Sequence, residues 1–110
     1  MARFLYHGSY TLEGLKGLLG EGGSSRRDIV EKSVANLGGK LEAFYYAFGS
    51  DDVYVIMEMP DNVSASALAL AVAGGGGIKG STVVLLTPEE IDQATKKIGS
   101  VTYRAPGQGG

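Results

Sequence analysis

The alternation of apolar and polar positions marks residues 41–61 as a β-hairpin, the stretch around which the rest of the chain is organised. Within residues 53–59 every odd position is valine or methionine, whereas the even positions carry tyrosine, isoleucine and glutamate. A period of two is typical of a strand whose two faces meet different surroundings. Gly49 and Asp52 supply turn residues between the two runs. Pro60 ends the second run, because proline cannot donate to a continuing strand ladder.

Leucines at helical spacing follow a first predicted strand over residues 2–10. Thr11 is the predicted N-cap of this helix. The apolar stripe of the helix consists of Leu12, Leu15, Leu18 and Leu19. Ser25 and Asp28 resemble a capping box, which predicts that a second helix begins there and ends at Gly38 and its neighbouring glycine.

After the hairpin, Asp61 is the predicted N-cap of an alanine-rich helix, and residues 78–86 are typical of a fourth strand buried on both sides. Thr87 before Pro88, with Glu90 at the third helical position, predicts a last helix that runs to about residue 98. The order is therefore β-α-β-β-α-β plus a C-terminal helix. This order predicts an α+β protein with a ferredoxin-like antiparallel sheet and helices on one face.

The opposite face of such a sheet carries no helices, and we call it the open face. Strand parity assigns to it a mixture of large apolar and ionisable side chains: Arg3, Leu5, His7, Glu42, Phe44, Tyr46, Phe48, Tyr54, Ile56, Glu58, Val83 and Leu85. A face this apolar seldom stays in water. We therefore expect a second copy of the chain to cover it, in a homodimer or an assembly of dimers.

The same parity predicts a candidate ligand pocket on the open face, formed by His7, Tyr46, Tyr54 and Glu58, with Arg3 as the ionic partner of Glu58. Imidazole, phenol and carboxylate groups can move protons when they lie within about 3 Å of the reacting atom. His7 is the only histidine, so a multi-histidine metal site within one chain is excluded. The structural alternative is that these groups form a subunit interface without a ligand.

Composition and charge mainly exclude classes of partner and of site. A net charge of -2 and a pI near 5.3 argue against nucleic acid as a partner, and there is no cysteine for disulfides or thiolate metal sites. A phosphate loop needs Gly-Lys-Ser/Thr after a strand and before a helix, whereas here the order is Lys79-Gly80-Ser81 and the context is reversed. We expect no cofactor. The chain start lacks a signal-peptide pattern, and the longest apolar run is too short to span a bilayer. We expect a cytoplasmic protein without a membrane partner.

Residues 49–61 follow the pattern G-x-x-D-V-x-V-I-x-E-x-P-D, after the run GGKLEAFYYAFG and, near the start, SYTLEGLKGL. Together these motifs resemble the GYD domain family over residues 3–97. The resemblance implies a dimeric α/β barrel of the ferredoxin-like kind, in small bacterial or archaeal proteins whose biochemical role is undefined. The motif positions kept here are Gly49, Asp52, Pro60 and Asp61. Asp51 stands where the family usually has tyrosine, and Asp52 is expected to have a structural role in the turn.

Three functions stay open at this level. The first is a small oligomeric protein that binds a small molecule in a cavity on the open face. The second is a cofactor-independent enzyme, monooxygenase-like or isomerase-like, that uses histidine, tyrosine and glutamate for acid–base chemistry on a phenolic or enol-like substrate. The third is a structural or partner-binding module. In each case we expect residues 1–103 to form a single domain and residues 104–110 to form a flexible tail.

Overall fold

A computed structural model of the chain describes residues 1–108. Its elements are β1 (Ala2–Tyr10), α1 (Leu12–Glu21), α2 (Gly23–Asn36), β2 (Lys40–Tyr46), β3 (Val53–Met59), α3 (Asn62–Gly74), β4 (Ile78–Leu85), α4 (Pro88–Lys96) and a 3₁₀ turn (Ile98–Ser100). The strands form one antiparallel sheet in the order β2-β3-β1-β4. This is the predicted α+β, ferredoxin-like arrangement with an additional C-terminal helix, and the prediction is confirmed.

The hydrophobic core lies between one face of the sheet and the helices, and we call this side the covered face. Its buried residues are Phe4, Val34, Val53, Val55, Met57, Met59 and Ala65. The odd positions of β3 are all buried, so the alternation along that strand identified its inner face correctly. Val34 brings α2 into the core and Ala65 brings α3, where the small side chain lets the helix approach closely.

Most predicted helix caps are confirmed. The side chain of Thr11 accepts from the backbone N–H of Gly14, and that of Asp61 accepts from Ser64 at 2.7 Å. That bond is the main reason why the pKa of Asp61 lies below its ordinary value. Thr87 and Glu90 form the complete capping box at the start of α4.

One prediction about the first helices is wrong, and the apolar stripe of α1 does not mark a buried side. Ser25 lies inside α2, which begins at Gly23 without a side-chain cap. The helical backbone is interrupted at Gly22, which adopts a φ of 88°, so α2 starts earlier than the sequence predicted. The leucine stripe of α1 is largely in solvent: Leu12 and Leu19 are 70% and 77% exposed. The leucine period therefore identified a helix correctly but not its buried side.

A bulge in β2 reverses the predicted side-chain directions in the second half of that strand. The register of β2 against β3 shifts between Leu41 and Ala43, leaving the residue between them as the additional one. After the shift, Phe44 pairs with Val55 and Tyr46 pairs with Val53. Since residues paired across two strands share a face, these two aromatic side chains lie on the covered face. The expectation that they lie on the open face is wrong.

The C-terminal part of the chain is exposed, contrary to expectation. In β4, Val83 and Val84 are 42% and 56% exposed, so this edge strand is not buried on both sides. Residues 101–103 form no strand. The predicted flexible tail includes residues 109–110, which lie outside the described residues, and its mobility stays a prediction.

Candidate functional site

A cavity of about 420 Å³ lies on the covered face, between the sheet and helices α1, α2 and α3. Its lining is mainly apolar. Val30 of α2 and Leu18 of α1 contribute to it from the helices, and Phe44, Val53 and Val55 do so from the sheet. The sequence predicted a cavity on the other face of the same sheet. The difference follows partly from the bulge, which brings Phe44 to this side.

Small residues explain why this space is not filled. Gly14 of α1 lies against the backbone of Gly77, so the two chain segments meet at one end of the helix. One turn further along, Gly17 lines the cavity and has no neighbouring atom within 4 Å of where a Cβ would lie. Ala65 and Ala69 of α3 line the same space with methyl groups. The helices are therefore held near the sheet while their side chains leave a gap.

Polar groups in the cavity belong mainly to tyrosines and to one ion pair. Tyr6 and Tyr10 of β1 reach it from the sheet, and burial raises the pKa of both phenols above the ordinary value of 10.0. Both hydroxyls are therefore protonated at neutral pH and can donate a hydrogen bond. Arg26 Nη1 lies 3.4 Å from Glu21 Oε2, and because both side chains are partly exposed they form the rim.

Tyr46 is separated from the pocket residues with which the sequence grouped it. Its hydroxyl donates to the carbonyl of Gly23 at 3.2 Å, on the covered face. The neighbouring Tyr46 hydroxyl is, after burial, a further cause of the raised pKa of Tyr10. Tyr46 thus joins the end of β2 to the start of α2 and does not lie beside His7.

On the open face, His7 forms a close pair with an aspartate of the hairpin loop. His7 Nδ1 lies 2.5 Å from Asp51 Oδ2, and the imidazole stacks on the ring of Tyr54 with centroids 6.1 Å apart. The hydrogen bond from His7 is the main reason why the pKa of Asp51 lies below its ordinary value. With Nδ1 donating to an ionised Asp51, the lone pair of the neutral ring is on Nε2, and this nitrogen can act as a base.

The hairpin loop itself is bonded to the end of β1. Asp52 N–H donates to the carbonyl of Gly8 at 2.8 Å, and the Asp52 carboxylate accepts from the N–H of Tyr10 at 2.9 Å. Ser9 Oγ donates to the carbonyl of Ser50 at 2.6 Å and lies 3.2 Å from Asp51 Oδ1. These bonds hold Asp51 over His7. Among the described contacts the serine hydroxyl bonds to this loop and not to the imidazole, so a Ser-His-Asp triad is not formed.

A second polar cluster occupies the other end of the open face. Arg3 bonds to both carboxylate oxygens of Glu42 at 2.8 to 3.0 Å, and its Nη2 lies 3.3 Å from Glu58. The bond to Glu42 is the main cause that raises the pKa of Arg3 and lowers that of Glu42. Glu42 is the additional residue of the bulge. The predicted pairing of Arg3 with Glu58 is present, but Glu42 is the closer partner.

The five predicted pocket residues therefore do not converge. His7 lies opposite Tyr54 in the register, and Arg3 lies opposite Glu58, four residues away along the same strands. That separation is roughly 13 Å at about 3.3 Å per residue. His7 and Tyr54 form one group, Arg3 and Glu58 form another, and Tyr46 belongs to the covered face. Whether either open-face group binds a ligand stays a prediction.

Sequence reasoning missed three features that the structure brings forward: Asp51 as the partner of His7, Glu42 as the partner of Arg3, and the cavity. A signal for Asp51 was present, because a residue just before β3 must lie near whatever pairs with the start of that strand. The repeated glycines of α1 and the alanines of α3 were a signal for loose packing beneath them. The bulge at Glu42 left no comparable signal in the residues of β2.

None of the helices in the described part of the chain combines the length and the apolarity that a bilayer crossing requires. Comparison with curated proteins gave no match, and neither did comparison with solved structures. The family model described as the GYD domain matches residues 4–95, which is most of the chain and includes β2, β3, β4 and most of β1. The chain therefore belongs to the GYD domain family.

Proposed function

We propose that this protein binds a compact, mainly apolar small molecule in the cavity between the sheet and helices α1 to α3. The observation that carries the proposal is the cavity itself, at about 420 Å³. Pockets for small molecules measure roughly 300–1,000 Å³ and combine an apolar lining with a few polar groups. This cavity has both properties, and it is present within a single copy of the chain.

The lining indicates what kind of molecule fits. Phe44, Val30 and Leu18 offer contacts to an aromatic or branched apolar body. The protonated phenol of Tyr10 offers a hydrogen bond to an acceptor. At the rim, Arg26 holds Glu21 at 3.4 Å, a long contact that leaves its guanidinium able to bind a carboxylate. We therefore expect an apolar ligand with one acceptor or anionic group.

Two glycines of α1 provide a matched test. Gly17 and Gly20 both have open space where a Cβ would lie, but Gly17 lines the cavity and Gly20 is not among its lining residues. Gly17→Leu should fill the cavity, whereas Gly20→Leu adds the same side chain to the same helix outside it. Binding of 1-naphthoic acid and 1-naphthol to each variant can be measured by calorimetry and thermal shift. The pair of probes distinguishes a carboxylate requirement from simple apolar fit.

The expected result is binding of at least one probe to the unaltered protein and to Gly20→Leu, with about tenfold or greater weakening in Gly17→Leu because the space is occupied. Arg26→Gln should weaken the acid more than the alcohol. Equal binding to both glycine variants would place any bound probe outside the cavity and would contradict the proposal. Failure of both probes and of related aromatic and branched acids to bind the unaltered protein would also contradict it.

A second candidate function is acid–base catalysis on the open face, and the contact of 2.5 Å between His7 and Asp51 favours it. A base whose other nitrogen is held by a carboxylate has a fixed tautomer, which suits removal of a proton from an enol hydroxyl. Ketonisation of the enol of phenylpyruvate, followed by ultraviolet absorbance, tests this function. Acceleration that is lost in His7→Gln and reduced in Asp51→Asn would support it. Absence of acceleration by the unaltered protein would count against it.

A further inference from the structure

The last helix of the chain lies apart from the domain that precedes it. Every residue from Pro88 to Arg104 is exposed, and within residues 1–108 the closest packing of α4 is against the 3₁₀ turn that follows it. The Cα radius of gyration is 17.8 Å and the longest dimension is 60 Å. A compact chain of this length has a radius of gyration of about 13 Å. We call residues 86–104 the C-terminal arm.

Helix α4 has nine residues, which is too short to be stable alone. Isolated helices below roughly 12–15 residues are marginal in water. The capping box of Thr87 and Glu90 contributes about 1 kcal/mol, so it helps without replacing tertiary contacts. A helix this short therefore needs a packing surface, and its own domain does not provide one.

The arm has one apolar side. Ile91 and Ala94 lie three residues apart on one side of α4. Ile98 follows four residues later at the start of the 3₁₀ turn, and because Lys97 between them keeps a helical backbone it extends the same side. The two isoleucines are 47% and 63% exposed. Beyond the helix, Val101 and Tyr103 are 62% and 75% exposed. These side chains form the kind of narrow apolar stripe that packs against another helix.

Charge identifies the partner of this stripe. The first turn of α4 is acidic and its end is basic, with Glu90 and Lys97 seven residues apart on the same flank of the stripe. When two such helices pack antiparallel about a two-fold axis, each flank meets the same flank of the other helix. Glu90 of each copy then faces Lys97 of the other. The surface is complementary to itself.

We propose that α4 packs antiparallel against α4 of a second copy of this chain, with Ile91 and Ile98 in the contact and two symmetric Glu90–Lys97 ion pairs. The open face supplies further apolar area to the same dimer. Four strands about 4.8 Å apart and about 23 Å long present roughly 450 Å² per copy, or about 900 Å² for the pair. A stable interface buries at least about 1,200 Å². The arm supplies the difference.

Charge reversal on the full-length chain tests this arrangement. Lys97→Glu should weaken dimerisation about tenfold, measured by sedimentation across a micromolar range, because both ion pairs become repulsive. Lys96→Glu is the matched control, since Lys96 lies on the outer side of the helix and should leave the dimer unchanged.

A disulfide offers an independent measurement, since the chain has no cysteine of its own. Ala94→Cys lies in the apolar stripe near the proposed two-fold axis and should form an interchain disulfide under oxidation. Gln93→Cys, on the outer side, should not. Two results would overturn the proposal: a monomeric protein throughout, or equal dimerisation of Lys97→Glu and the unaltered chain. The proposal does not depend on the cavity, so ligand binding can fail while the dimer is confirmed, and the reverse.

Discussion

The two faces of the sheet differ in how they satisfy the same requirement, that side chains in a folded protein have neighbours. The covered face is apolar, is closed by helices and still contains a cavity of about 420 Å³. The open face carries hydrogen-bonded polar pairs, with Arg3 against Glu42 at one end and His7 against Asp51 at the other. Apolar packing alone therefore does not fill space completely, whereas directed hydrogen bonds bring polar partners together on the side of the sheet that no helix covers. Small helix residues cause the first result. The bulge in β2 and the bonding of the hairpin loop cause the second.

The largest expected effect is a difference in the free energy of unfolding between substitutions on the two faces of β3. Met59→Ala removes a fully buried side chain from the covered face and should lower the free energy of unfolding by about 2–5 kcal/mol. Ile56→Ala, on the open face of the same strand, should lower it by about 1 kcal/mol in the monomer, because its side chain is only partly buried within one chain. Urea denaturation at concentrations where the chain is monomeric measures both. Equal losses in the monomer would contradict the assignment of Met59 to the core and of Ile56 to the opposite side of the strand.

The next effect compares two glycines of α1 on the covered face. Gly14→Ala should destabilise the protein by about 1–3 kcal/mol, because the new methyl group would overlap the backbone of Gly77. Gly17→Ala should stabilise it by up to about 1 kcal/mol, since alanine favours the helix and the cavity has room for it. Thermal unfolding distinguishes them by sign. A loss of stability in Gly17→Ala would contradict the presence of open space there.

A third effect belongs to the open face and depends on pH. His7 keeps the pKa of Asp51 below its ordinary value of 3.8, so the folded state holds the ionised carboxylate more favourably than the unfolded chain does. That stability is present above pH 3.8 and disappears as the pH falls through the lowered pKa. Asp51→Asn should therefore lower the melting temperature near neutral pH, and the difference from the unaltered protein should shrink in acid. A difference that is constant from neutral to acidic pH would contradict the role assigned to the His7 contact.

The smallest effect returns to the covered face at alkaline pH. Burial raises the pKa of Tyr10, so above pH 10 the unfolded chain releases a proton that the folded state retains. Stability should therefore fall as the pH rises past 10, and Tyr10→Phe should reduce that fall. Tyr45→Phe is the control, because this side chain is 70% exposed on the open face. Identical alkaline melting curves for all three proteins would argue against burial of the Tyr10 phenol.

Much of the fold was predictable because it depends on local patterns. The bounds of β1, the inner side of β3 and the caps at Thr11, Asp61 and Thr87 all follow from period and cap chemistry. The direction of Tyr46 was not predictable in the same way, since the position of a bulge is set by pairing with the neighbouring strand. Strand parity holds only while the register is continuous.

The candidate sites were less predictable, for reasons that are also physical. The contact between His7 and Asp51 joins residues 44 positions apart and depends on how a six-residue loop is bonded to β1. The cavity depends on the distance between helices and sheet, which no single residue determines. β4 is less buried than expected because it is an edge strand. An apolar run shows that such a strand requires a packing partner, but it does not show that the same chain supplies one.

The bulge at Glu42 also has an evolutionary consequence. A single codon deleted there would remove the extra residue and restore continuous alternation in β2. The pairs of Phe44 with Val55 and of Tyr46 with Val53 would be kept, because the later residues of the strand already pair one to one with β3. Arg3, in contrast, would lose its nearest carboxylate. A deletion at this position thus changes the charge of the open face without changing the lining of the cavity. Relatives that lack the extra residue should therefore keep the same cavity side chains and differ in the partner that the open face meets.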